Sequence, residues 1–321
     1  MVKTTVVTMF FNLKYLKDAS NTTRDLEFYM NNGKATLQLR YPMVVFCDES
    51  TVDMIKKIRD DLGESVKTTY VVRKLMDYDF YSQNFEMIEE HRKKNPHYGS
   101  PEERNTTSYF LATMMKPICL RVAKQRNPYN TPFYAWVDFG CNHVLKNVAE
   151  YAPRMLDNPH PKISTCYIHY RTKAEISDVH NYLKHGGPCA LASTCFTVET
   201  SYVDRFYNGM MEMFYMQLFN EIGHADEQTM TLCYNKYPEL FTIYNGDYYS
   251  VLTNYHTAQA DLNSIKYHFI YNSINAKDFQ LAKEAIARVL DYLNSKEESS
   301  LDPYELDIKQ ELTATYHHRC Q

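Results

Sequence analysis

The stretch Phe133-Tyr-Ala-Trp-Val-Asp-Phe-Gly140 decides how this chain is read. A β-prone apolar run carries one carboxylate, Asp138, and then reaches a glycine. A buried strand strips a carboxylate of its hydration, so Asp138 needs a cation or strong donors to stay ionised. Open α/β sheets place ligand-binding residues at the carboxyl ends of their strands. An acid at the mouth of a central strand suits a divalent metal or a ribose hydroxyl. Its plainer use is as a helix cap or a salt-bridged strand end.

Outward from that strand, residues 4–11 read as a buried first strand, β-branched and aromatic. A helix follows over about 24–39, with a break expected near Asn31-Asn-Gly33. Residues 41–47 read as a second strand ending at Asp48-Glu49. Residues 51–62 read as a helix capped by Ser50 or Thr51, with Gly63 just past its end. Residues 67–72 read as a third strand. This β-α-β-α-β order implies a parallel sheet covered by helices. Residues 77–105 are polar and helix-prone, and the segment ending in Asn95-Pro-His-Tyr-Gly-Ser-Pro101 reads as a lid. Residues 108–125 read as one helix, with Pro117 as its start or a kink. The sheet is expected to continue through 163–170 and 190–198, followed by helices at about 201–222 and 226–237. An amphipathic helix at 277–294 is apolar at Phe279, Ala282, Ile286, Val289, Leu290 and Leu293. The charged tail from Lys296 reads as a further helix or as partly disordered chain.

The 321 residues, 44% of them hydrophobic, allow one large domain or two modest ones. A net charge of −4 with no dominant basic patch argues against nucleic acid as a partner. Tyrosine is abundant, at 28 residues against one Trp, which reflects composition bias or a surface that handles polyols. Eight scattered cysteines with no C-x-x-C pair read as free thiols in a reducing compartment, not as a disulfide scaffold or zinc site. No segment reaches 18 apolar residues and the N-terminus lacks a cleavage pattern, so a cytoplasmic protein without a transmembrane segment is expected. Phosphate-loop, dinucleotide and nucleophile-elbow motifs are missing. His185-Gly-Gly-Pro188 looks like an oxyanion loop but has no nucleophile to serve.

Two further constellations carry acids. In Gly223-His-Ala-Asp-Glu-Gln228, Asp226 can cap the helix that follows and Glu227 suits its positive first turn. The functional reading is a catalytic or acceptor-binding carboxylate at a helix N-terminus facing a cleft. In Leu240 to Tyr249, Asn245-Gly246 signals a hairpin turn, while Asp247 and the more distant His256 are candidate metal or phosphate contacts.

The order of these pieces resembles the HtrL/YibB family, a set of glycosyltransferase-like proteins. The resembling residues are Thr5-Val-Val-Thr-Met-Phe-Phe-Asn12, Tyr41-Pro-Met-Val-Val-Phe46, Lys116, Asn127-Pro-Tyr-Asn130 and Ala135-Trp-Val-Asp-Phe-Gly140. Asp226-Glu-Gln228, Pro238-Glu-Leu-Phe241 and Gly246-Asp247-Tyr248 complete the set, which spans about residues 5–270. The chain departs from the family in having Ser193-Thr-Cys-Phe-Thr-Val-Glu199 where a Gly-rich stretch is expected. Gly140 also stands where a D-x-D pattern would put its second acid.

The resemblance implies an α/β, GT-A-like (Rossmann-like) fold: a central, mostly parallel sheet flanked by helices over 1–270, and a helical C-terminal extension over 271–321. It implies transfer of a sugar from a UDP- or GDP-sugar donor to a glycan or glycoconjugate acceptor, with Mn²⁺ or Mg²⁺. Thr8, Phe10 and Asn12 would line the nucleotide pocket, with Phe10 stacked on a base. Lys116 or Arg73 would act as a fixed cation. Asp138 would hold the metal or the ribose, with Asp247 and His256 as its additional metal ligands. Asp226 or Glu227 would deprotonate the acceptor in an inverting reaction, or steady an oxocarbenium-like centre in a retaining one. Gln228 and Asp247 would contact the acceptor. Two rivals stand beside this reading. One is a non-catalytic nucleotide-sugar- or glycan-binding protein on the same scaffold. The other is a helical interaction protein, marked by an exposed apolar stripe on the 277–294 helix.

Overall fold

A computed structural model describes residues 2–21, 23–63, 66–96, 103, 105–145, 147–184, 189–223 and 225–319. Seven strands form one sheet: β1 (Thr4–Phe10), β2 (Met43–Cys47), β3 (Thr68–Val72), β4 (Phe133–Val137), β5 (Ile163–Tyr167), β6 (Cys195–Glu199) and β7 (Phe241–Asn245). Their order is β3-β2-β1-β4-β6-β5-β7. Only β6 runs against its neighbours, pairing antiparallel with both β4 and β5. The sheet is therefore mostly parallel and flanked by helices, as the GT-A-like expectation requires.

Both faces of the sheet are covered, which is why the central strands are apolar runs rather than alternating ones. Val7, Val44 and Trp136 pack into the core on one face. Val6, Val45 and Val137 pack into the core on the other. Between β1 and β2 lies α1 (Leu26–Leu37), which Asp25 caps by accepting from the Phe28 N–H. No break occurs at Asn31-Asn-Gly33. A Cβ on Gly33 would lie 2.2 Å from the Phe139 ring, so this glycine serves a close helix approach rather than a turn. Helix α2 (Val52–Asp60) turns Val52, Ile55 and Arg59 inward.

The helix expected at 108–125 is two helices. After α3 (Asp79–Lys94), α4 (Thr107–Thr113) ends at Met114, and α5 (Met115–Arg126) restarts at once. Pro117 sits in the first turn of α5, where its missing N–H costs nothing. That restart places Lys116 in the same turn with its side chain directed inward. Helix α6 (Val148–Asp157) precedes β5. The expected lid residues His97–Pro101 and the loop His185–Pro188 lie outside the described residues.

The Asn245-Gly246 signal does not make a hairpin. Its preceding segment is β7, parallel to β5, with Ile163 opposite Phe241 and Tyr167 opposite Asn245. Beyond it, the helices Phe279–Ser295 and Pro303–Arg319 pack together, and the charged tail is thus helical. Ala282, Ile286, Val289 and Leu293 join the main core beside Ile308 and Leu312. Leu290 packs half-buried against that core, and of the stripe only Phe279, at 40%, is exposed, which removes the feature that would mark a helical partner platform.

Candidate functional site at the β1/β4 switch point

The strand order reverses between β1 and β4, and an open cleft of about 340 Å³ lies at the carboxyl ends of those two strands. Phe10 and Phe11 reach it from β1, and Asp138 to Cys141 from the end of β4. Because β6 is antiparallel, its beginning lies at this same end: Val137 pairs with Cys195, and the Asp138 N–H donates to the Thr194 carbonyl at 2.9 Å. Ser193 and Thr194 thereby join the wall. Ala225, Asp226 and Glu227 enter at the start of the 11-residue helix Asp226–Lys236.

At the floor, the Lys116 ammonium is surrounded by oxygen. It lies 2.9 Å from Asp138 Oδ1, 2.8 Å from Asp226 Oδ2, and 3.1 Å from both the carbonyl and the hydroxyl of Ser193. Trp136 Nε1 donates to Asp138 at 2.6 Å, and the Ser193 hydroxyl donates to Asp226. Burial alone would pull the Lys116 ammonium down, but Asp138 and Asp226 reverse this and hold it protonated far above the usual lysine range. Burial pushes Asp138 up, with Lys116 opposing and Asp226 adding to the rise. The side chain of Asp138 stays about a third open to the cleft, at 32%, whereas that of Asp226 is nearly closed, at 5%.

Glu227 stands beside this floor. It accepts from the Tyr248 hydroxyl and from the Cys189 thiol, the latter at 3.0 Å. Burial raises its carboxyl above the usual glutamate value and Asp226 raises it further, while its two donors oppose the shift. A carboxyl moved toward neutrality at a cleft wall is suited to carrying a proton.

The structure brings together Phe10, Lys116, Asp138, Asp226 and Glu227, and leaves the other candidates elsewhere. Phe10 is 5% exposed, stacked on Phe139 at 4.7 Å and covered by Tyr29 at 5.1 Å, so no free ring face awaits a base. Thr8 is wholly buried within β1, with its hydroxyl unpartnered among the described residues. Asn12 turns away to cap the next turn, accepting from the Lys14 N–H, while its own N–H donates to Asp48. Arg73 follows β3 at the outer edge of the sheet, over the Tyr78 ring, too far along the strand order to reach β4. Gln228 faces Cys189, donating to its sulfur at 3.1 Å.

The expected metal ligands do not converge. Asp247 accepts from the Ser264 hydroxyl at 2.8 Å, and His256 Nε2 lies 3.0 Å from the Arg154 carbonyl. Neither lines the cleft that Asp138 enters. Among the described residues, no group of three or more His, Cys, Asp and Glu side chains is placed to hold a metal ion. A Mn²⁺ or Mg²⁺ ion on Asp138, Asp247 and His256 therefore does not fit this chain.

Three residues of the site escaped the sequence reading. Ser193 starts the segment singled out only for lacking glycines. Tyr248 adjoins Asp247 in the same motif. Arg24, whose guanidinium lies 3.0 Å from His143 Nε2 at the cleft wall, sits in a stretch read as the start of a helix. For Tyr248, the Gly246-Asp247-Tyr248 motif was the available signal.

Comparison with known proteins places the chain in a family. Protein HtrL of Escherichia coli (strain K12) is 21% identical over 255 residues, covering 75% of this chain and 87% of that protein. Among solved structures, mouse xyloside xylosyltransferase 1 in its apo form is 13% identical with a TM-score of 0.41, over 75% of this chain and 85% of that one. Core-mannan synthase A of Aspergillus fumigatus, in a Mn/GDP form, is 11% identical with a TM-score of 0.45, over 76% and 73%. These structural likenesses are distant and carry no ligand over to the present cleft. No helix among the described residues is long and apolar enough to cross a membrane. The family model described as "Bacterial protein of unknown function (HtrL_YibB)" matches residues 2–257, and the chain belongs to the HtrL/YibB family.

Proposed function

We propose that the cleft binds a UDP- or GDP-sugar and transfers its sugar to a hydroxyl of a glycan or glycoconjugate. The observation that carries this reading is Glu227, a carboxyl raised toward neutrality, on the wall of a switch-point cleft whose floor holds a buried ammonium. The family resemblance leads to the same expectation.

In the inverting form of the reaction, Glu227 takes the proton of the acceptor hydroxyl. The acceptor oxygen bonds the anomeric carbon as the bond from that carbon to the diphosphate oxygen breaks. The diphosphate leaves with the electron pair. Positive ends are on hand for it: the N-terminus of the helix Asp226–Lys236 opens on the cleft, and Arg24 lines its wall. Asp226 orients Lys116 and Ser193 rather than moving protons, since both already occupy it. Asp138, the most open acid of the floor, is left to accept from donor hydroxyls. No step is routed through a metal, because the expected ligands are dispersed.

The test is release of nucleoside diphosphate from a panel of UDP- and GDP-sugars, followed chromatographically with and without sugar acceptors. Turnover confined to one nucleotide class is the expected result. Binding without any release would favour the non-catalytic rival, and neither binding nor release would overturn the reading.

A further inference from the structure

Five oxygen atoms surround the Lys116 ammonium within 3.1 Å: both carboxylate oxygens of Asp138, Oδ2 of Asp226, and the carbonyl and hydroxyl of Ser193. An ammonium has three hydrogens to donate, so the surroundings hold more acceptors than it can use. An all-oxygen shell with two carboxylates is the kind that hard divalent cations take. It comes from three separate segments, the residue just past β4, the approach to β6 and the first turn of the helix Asp226–Lys236. It also opens to the cleft on the Asp138 side, so it could be reached by an ion from solvent.

We propose that Lys116 is the resident cation of this cleft: its ammonium fills the oxygen cage that a divalent ion would occupy, so the wild-type protein takes no divalent metal at Asp138 and Asp226. A tethered cation is already in place when the chain folds and needs no free ion. The restart of the helix at Met115 makes this possible, because it sets Lys116 in a first turn directed at the cage. The inference concerns the cation alone and holds whichever reaction the cleft performs. Neutralising Lys116 leaves two acids facing each other with no counter-charge, and the cage then becomes a site for Mn²⁺.

The experiment titrates Mn²⁺ itself, followed by loss of the free-ion paramagnetic resonance signal, into wild type, Asp138→Asn, Lys116→Gln, and Lys116→Gln combined with Asp138→Asn. Wild type is expected to leave the signal of millimolar Mn²⁺ unchanged. Lys116→Gln is expected to sequester one ion per chain, and the double variant to lose that ion. The proposal is overturned if wild type sequesters an ion that Asp138→Asn abolishes, or if folded Lys116→Gln sequesters none. Should Lys116→Gln not fold alone, refolding it with and without Mn²⁺ decides the point. Recovery of the native circular dichroism only with Mn²⁺ supports the proposal, and no recovery overturns it.

Discussion

Glu227→Gln is expected to lower sugar transfer by about 10²- to 10⁴-fold, the range that a positioned general base contributes. The amide keeps the shape of the side chain and an acceptor for the Tyr248 hydroxyl, but cannot take a proton. Affinity for nucleoside diphosphate should stay within about threefold, because the variant removes an interaction of the transition state rather than of the donor. The pH dependence follows from the raised carboxyl. Only ionised Glu227 acts as a base, so wild-type turnover climbs as pH rises through its elevated value, and the variant loses that limb.

Stability moves the other way. The folded state holds the Glu227 proton more tightly than the unfolded state, whose ordinary value is 4.5. The stability this gives is complete below the unfolded value and is lost as pH rises through the folded one. Glu227→Gln should therefore equal or exceed wild type in Tm at pH 8, and gain less at pH 4. Turnover unchanged in Glu227→Gln would remove it from the mechanism.

Arg59→Met is expected to destabilise the fold by about 3–5 kcal/mol, as orphaned buried acceptors do. Arg59 is 1% exposed and occupies the inward stripe of α2 with Val52 and Ile55. Its guanidinium donates to the carbonyls of Leu37, Leu39 and Tyr41 at 2.7, 2.6 and 2.9 Å, and to the Thr68 hydroxyl at 2.8 Å. Those carbonyls lie at the C-terminal end of α1 and in the link to β2, where the helix dipole is negative. Met fills the volume and recovers the cost of desolvating the charge, but leaves three carbonyls without donors. A shift in the urea midpoint at unchanged slope would measure the loss. A change below about 0.5 kcal/mol, the scale of an ordinary surface substitution, would show that the clamp holds nothing together.

The strands were legible wherever burial on both faces made them short apolar runs, as in β1, β2 and β4. The direction of β6 was not, because strand orientation depends on distant partners: Cys195 meets Val137, far away in the chain. The same non-locality misled at Asn245-Gly246, where a good hairpin signal stands after a strand that pairs parallel with β5. Gly33 signals a helix break through its dihedral freedom, whereas its use is the space it leaves for Phe139. In the site, each acid at the start or end of an element was visible as a candidate. Which ones converge was not, since Asp247 and Tyr248 are adjacent in sequence yet only Tyr248 reaches Glu227. Arg59 was hidden because, in a helix rich in exposed Lys and Asp, nothing local marks the one cation that turns inward.

Whether the β1/β4 cleft is a nucleotide-sugar site is decided by calorimetric titration of UDP and GDP into wild type and Asp138→Asn. One of the two nucleotides is expected to bind wild type in the presence of a chelator, and to bind Asp138→Asn at least tenfold more weakly. No binding of either nucleotide to folded wild type, or equal binding to the folded variant, would contradict that assignment.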